Sequence, residues 1–233
     1  MNEFLFLATV LICIIGITIL YQKLGYDGLN IWIVFSTIIS FLASFKTITL
    51  YGFNINISIP FINSIYLSLF IITEKYPKKQ IKKSIITSIY SLLVVIIFFM
   101  LIYLYKPGIY DNKAIYLTNF ITTNYINMII FPIILLLSEY LIIKIYKYIK
   151  SIHENTFIKN CLSITLISII DTFIYLFLVY NFSNKTNNYQ AIIIASFTFK
   201  IMCSIIYTPL MYYFENAKKV IKWTVSYLYL PYY

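Results

Sequence analysis

Apolar residues fall in long unbroken runs, and the polar residues gather between them. The runs cover roughly residues 4–20, 30–45, 57–73, 84–105, 118–145, 161–181 and 191–213. A helix needs about 20 apolar residues to cross a bilayer, and about 17 is the short limit. The pattern therefore predicts an all-α, polytopic membrane helix bundle of about six to seven transmembrane helices, with residues 1–233 forming one transmembrane domain. Gly25 and Gly28 mark the first turn, and Lys106-Pro107-Gly108 marks another. The first run is flanked by Met-Asn-Glu and followed by Tyr21-Gln-Lys-Leu, so it reads as an uncleaved span rather than a signal peptide.

One stretch breaks the pattern. Ala43 to Asn56 alternates Thr and Asn and holds Lys46 and Gly52. Irregular backbone at membrane depth is tolerated only inside protein or beside water. The segment is either a cap folded over a site or a surface loop.

Composition agrees with the runs. The chain is 61% apolar and 11% charged, with a mean hydropathy of +0.84, too little polar surface for a soluble domain of this length. The net charge of +10 invites a nucleic-acid reading, but the lysines cluster in short loops, where they set topology. One set of loops holds Lys23, then Lys75, Lys78, Lys79, Lys82 and Lys83, then Lys144, Lys147, Lys150 and Lys159, then Lys218, Lys219 and Lys222. The other set holds only Lys46, Lys106, Lys113 and Lys185. The basic side is read as cytoplasmic, which puts the N-terminus outside and the C-terminus inside. A six-span variant, with one of the first two runs not crossing, would put the N-terminus inside. The Lys- and Tyr-bearing tail suits a helix lying on the interface, and Trp32 an interfacial position.

Two charges remain within the last two runs, Asp171 and Lys200. The runs are antiparallel neighbours, and both charges lie about ten residues from the connecting loop, about 15 Å of helix. The pair is expected at one depth near the midplane, where an ionisable group is costly and marks a site. Thr165, Ser168 and Thr172 share the Asp171 side of the helix. Ser196 and Ser204 flank Lys200 at four residues either way, and Thr208-Pro209 follows. Polar stripes inside apolar helices suit an enclosed cavity. The alternative is a buried pair that only holds helices together. Glu139 is a third candidate group, or else it reaches toward water.

Enzyme chemistry finds little support. The sole histidine, His153, lies in a charged loop, away from any carboxylate cluster that would hold a metal and from the membrane serines a hydrolase would use. The phosphate-binding Gly-x-x-x-x-Gly-Lys-Ser/Thr pattern is missing. The sequence requires no cofactor. Cys13, Cys161 and Cys203 are scattered and read as packing residues.

An ordered set of motifs carries a resemblance. Ala43-Ser-Phe-Lys-Thr-Ile-Thr-Leu-Tyr-Gly-Phe53, Thr73-Glu-Lys-Tyr-Pro-Lys-Lys79, Leu162-Ser163 with Ile170-Asp-Thr172, Phe199-Lys200 and Thr208-Pro-Leu-Met-Tyr212 resemble the queuosine precursor transporters, also called the vitamin uptake transporter family. The resemblance spans roughly residues 27–213. It implies a bacterial inner-membrane protein that takes up a 7-deazaguanine base, and a fold related to the substrate-binding components of energy-coupling-factor transporters. It implies a small-molecule partner and no nucleic acid. The energy source stays open among passive flow, ion coupling and a separate ATPase module. Carried over by position, Asp171, Lys200, Glu74 and Lys46 are the implied site residues, with Thr172, Ser168 and Glu139 beside them. The chain departs from the pattern at Phe70, where the family has an acid, at Pro77, where it has Gly, and at Ile142, near which it tends to have a polar or acidic residue. Tyr175, Phe197 and Phe199 are the aromatic residues nearest the pair in sequence.

Overall fold

A computed structural model describes residues 1–106, 114–182 and 189–228, with side chains omitted at 114–115, 175–177, 179–182, 189–193 and 215–228. Six helices are ordered as α1 (Asn2–Ala43), α2 (Ile59–Lys75), α3 (Lys78–Leu104), α4 (Ala114–Ile152), α5 (Thr156–Phe182) and α6 (Tyr189–Leu228). All but α2 are long and apolar enough to cross a membrane. At 17 residues, α2 sits at the short limit of about 17.

α1 is two rods. Gly25 leaves the helical region, with φ 57° and ψ −124°, a conformation that costs an L side chain dearly. The two arms fold back on one another there. A Cβ added at Gly16 would lie 2.2 Å from the Trp32 ring, and one at Gly28 would lie 2.0 Å from the Leu20 carbonyl oxygen. Both pairs are centred on position 24, as an antiparallel hairpin requires. The seven apolar runs thus become seven rods.

Hydrogen bonds fix the two ends of the bundle. Asn2 donates to the Thr49 carbonyl at 3.1 Å, so the N-terminus lies beside the segment after α1. At the opposite end, Gln22 reaches the Tyr213 hydroxyl at 2.9 Å and Tyr26 donates to the Gln80 carbonyl at 3.0 Å. Lys75 joins them by donating to the Phe214 carbonyl at 2.7 Å. This second end carries the described lysines of the basic set.

α2 is the central helix. It packs against α1, α3, α4, α5 and α6 and is buried continuously from Ile62 to Ile72. The outer faces of α1 and α3 instead expose Phe4, Leu7, Leu11, Ile15, Val94, Ile97 and Leu101. Lipid is the solvent that tolerates such faces.

The irregular segment forms a two-stranded antiparallel hairpin, β1 (Thr47–Leu50) and β2 (Phe53–Asn56), in the register Thr47↔Asn56 to Leu50↔Phe53. Tyr51 and Gly52 both have positive φ, the geometry of a tight hairpin turn that matches strand twist.

Two expectations are corrected. Trp32 is buried and donates to Ser64 Oγ at 3.2 Å, because α2 and the small residue Gly16 enclose its ring; it is not an interfacial anchor. The tail is no separate interfacial helix: α6 runs on without a break to Leu228. Asp111, Lys113 and Lys185 lie outside the described residues.

Candidate substrate cavity

The floor of the site is the intramembrane ion pair. Lys200 Nζ lies 3.2 Å from Asp171 Oδ2, with both residues buried. The spacing of both charges from the intervening loop brings them to one level. Two further donors converge on the carboxylate: the Tyr66 hydroxyl of α2 gives a hydrogen bond to Oδ2 at 2.9 Å, and Ser138 of α4 donates to Oδ1. Four helices therefore meet at one carboxylate. Charge-assisted bonds of this kind are stronger than neutral ones, and together they hold Asp171 in one orientation. Asn63 braces the Lys200 helix from α2 by donating to the Lys200 carbonyl at 2.9 Å.

A cavity of about 190 Å³ rises from this floor. Its polar wall is made of Asn127, Ser138, Thr172 and Ser196; its apolar wall of Ile59, Ile62, Ile134, Leu135 and Phe131. Ser44, Thr47, Asn56 and Ser58 line it at the base of the β-hairpin. Asn56 locks that base, donating to the Ser44 carbonyl at 2.7 Å and accepting from the Ser58 amide at 2.8 Å. Pockets for drug-sized ligands begin at about 300 Å³, so this one suits a solute of one or two rings.

The residues expected at the site separate into groups. Asp171, Lys200 and Thr172 line the cavity, as does Ser196. Ser168 is buried with its hydroxyl unpartnered and does not line it. Glu139 is buried behind the wall, turned toward α3, where Ser88 Oγ lies 2.5 Å from its Oε2. Lys46 is exposed at the hairpin base. Glu74 is at the basic end, where Tyr146 donates to it at 2.8 Å, Lys159 lies at 3.3 Å, and Lys150 also pairs with it. Phe199 packs edge-on against Phe6 with centroids 5.7 Å apart, and the Tyr175 side chain lies outside the described residues. Among the described residues, the aromatic ones at the cavity are Tyr66 and Phe131. Neither stood out among 24 Tyr and 19 Phe, although Tyr66 belongs to a run broken by Asn63, Ser64 and Ser68.

A family model described as a putative vitamin uptake transporter matches residues 56–214, more than half of the chain. The chain belongs to this family. No curated protein and no solved structure matches it. The match begins at Asn56 and ends at Phe214, so in this multi-pass membrane transporter it takes in α2 to α5 and the first part of α6, with Asp171, Lys200 and Tyr66, and leaves out α1 and most of the hairpin.

Glu74 lies at the end of the transporter away from the cavity, where it joins α2 to α4 and α5. Tyr66, Phe70 and Glu74 follow one another at i, i+4, i+8 on one face of α2. Tyr66 meets Asp171, Phe70 stacks on Tyr146 at 4.2 Å and 17°, and Glu74 ties α4 to α5. Lys159 is 6% exposed and Lys150 is 44% exposed. Exposed pairs contribute about 0–1 kcal/mol, whereas removing one partner of a buried pair costs about 3–5 kcal/mol. Glu74→Ala is therefore expected to lower the melting temperature in detergent well below that of Lys150→Ala. Equal shifts would refute the lock.

Proposed function

We propose that the chain takes up a 7-deazaguanine precursor of queuosine, such as preQ0 or preQ1, for tRNA modification. The observation that carries this reading is the oriented Asp171 carboxylate at the floor of a cavity sized for one or two rings, beside the exposed faces of Phe131 and Thr172. The pairing edge of a deazaguanine presents parallel N–H donors, which a carboxylate accepts. Asp171 takes three donors, and a carboxylate has about four lone-pair sites, so the base adds to the set or displaces Tyr66 or Ser138. The flat ring stacks on Phe131, which Phe41 backs at 6.2 Å.

The departures from the family pattern do not touch this cavity. Phe70 and Ile142 are fully buried below its floor, and Pro77 starts α3. The cavity rises to the hairpin end, opposite the lysine-rich end. With the basic end in the cytoplasm, the cavity lies toward the outer face, where capture takes place, in the inner membrane of a bacterium with the C-terminus inside.

The test is queuosine in tRNA. A bacterium that cannot make the precursor and lacks its own transporter expresses the chain and receives each deazaguanine in turn. One base is expected to restore queuosine. Phe131→Ala is expected to raise the concentration required, because base–aromatic stacking contributes about 1–3 kcal/mol per base. Restoration by none of them, with the protein in the membrane, refutes the substrate. Restoration with an unchanged requirement in Phe131→Ala refutes the stacking contact.

A further inference from the structure

Glu139 has no part in the cavity, yet it is fully buried in the middle of α4. Among the described residues no ion pair includes it. An ionised carboxylate so placed is costly without a partner. Its surroundings are hydroxyls: Ser88 from α3 lies 2.5 Å from Oε2, Thr37 from α1 faces the carboxyl, and Oε1 and the Thr37 hydroxyl oxygen are both unpartnered. The titratable groups nearby on the other packed helices are Tyr66 of α2, whose proton is given to Asp171, and Asp171 of α5, whose charge is met by Lys200 of α6.

Hydrogen bookkeeping leaves room for a proton on Glu139. Ser88 Oγ is 2.8 Å from the Ile85 carbonyl as well as 2.5 Å from Glu139. A serine has one hydrogen to donate. If it goes to Ile85, the contact with Glu139 is a bond only when the carboxyl supplies the hydrogen. A neutral Glu139 donating from Oε2 to Ser88, and Ser88 donating to Ile85, gives each hydrogen an acceptor and removes the buried charge.

We propose that Glu139 is a membrane-embedded proton-binding site, linked through α4 to the substrate carboxylate. The link is covalent and short. Ser138, the preceding residue, donates to Asp171, so α4 holds Asp171 with one residue and the proton site with the next. Pro132 lies within the same helix and removes one of its backbone hydrogen bonds, giving α4 a place to bend. Movement of α4 that releases Ser138 from Asp171 also takes Glu139 from Ser88, and its proton passes to water on the cytoplasmic side, to be replaced from the outside before the contact re-forms. Uptake is then coupled to protons entering with the solute.

Infrared spectroscopy of the chain in lipid vesicles reads the proton without any substrate, so it does not depend on which base is carried. The wild type is expected to show a protonated-carboxyl stretch at neutral pH. Glu139→Gln is expected to remove it, Asp171→Asn to keep it, and Ser88→Ala to shift it through the lost hydrogen bond. Absence of the band, or a band untouched by both Glu139→Gln and Ser88→Ala, overturns the site; Ser88→Ala serves alone if Glu139→Gln does not insert. Coupling is read with the labelled base that restores queuosine. An acid-outside gradient imposed on vesicles is expected to drive its accumulation in the wild type and not in Glu139→Gln. Accumulation indifferent to the gradient overturns the coupling and leaves the base assignment standing.

Discussion

Asp171→Asn is expected to abolish uptake while the protein still reaches the membrane. The substitution keeps the shape of the side chain and removes its charge. Lys200 then remains as a buried cation with no carboxylate, at a cost of about 3–5 kcal/mol, and the donors from Tyr66 and Ser138 lose a charged acceptor. The amide also offers N–H groups where the solute presents its own. Stability and uptake therefore fall together in the single variant, which by itself does not separate a site from a brace. The double variant Asp171→Asn/Lys200→Met does. It removes both charges, so the melting temperature is expected to recover toward the wild type, because neutral replacements of buried pairs are often tolerated. Uptake is expected to stay absent. Recovery of both would show that the pair only holds α5 to α6.

Gly28→Val is expected to leave little folded protein. The added Cβ meets the backbone carbonyl of Leu20 at 2.0 Å, and backbone cannot step aside as a side-chain tip can. The two arms of α1 would have to part, and with them the packing of Trp32 on Gly16 and Ser64. Gly28→Ala is expected to be strongly destabilising too, because its Cβ alone meets the same backbone carbonyl, seen as a much lower melting temperature in detergent. Gly52 is the control: a Cβ there meets nothing within 4 Å, so Gly52→Ala carries only the strain of its positive φ. A wild-type melting temperature for Gly28→Val would mean that the arms are not in contact.

The sequence made the spans legible because lipid imposes a one-dimensional rule: each crossing must be apolar for its whole length. The same rule exposed Asp171 and Lys200 as exceptions, and loop distance set their common depth. The partners of the pair were hidden. Tyr66 and Ser138 are ordinary residues on other helices, and which side of a helix meets which neighbour depends on rotation, which an apolar run does not encode. Glu74 illustrates the limit from the other side. Its position in a motif pointed to the solute, yet it lies two helical turns beyond Tyr66 and joins Lys150 and Lys159. The Ala43–Asn56 segment was recognisable as irregular, but its pairing into strands was not, since four-residue strands leave little alternation to read.

The stacking of Tyr66, Phe70 and Glu74 on one stripe of α2 has a consequence for how this gene can change. Each residue of an α-helix turns the next by about 100°. Losing or gaining one codon between Tyr66 and Glu74 would swing every side chain on one flank of that point away from its partner at once, so that the carboxylate floor, the ring stack and the lysine lock could no longer coexist. Substitutions along α2 can be compensated one at a time, but its length between these points cannot drift. Indels are left to the hairpin turn, where Gly52 faces open space.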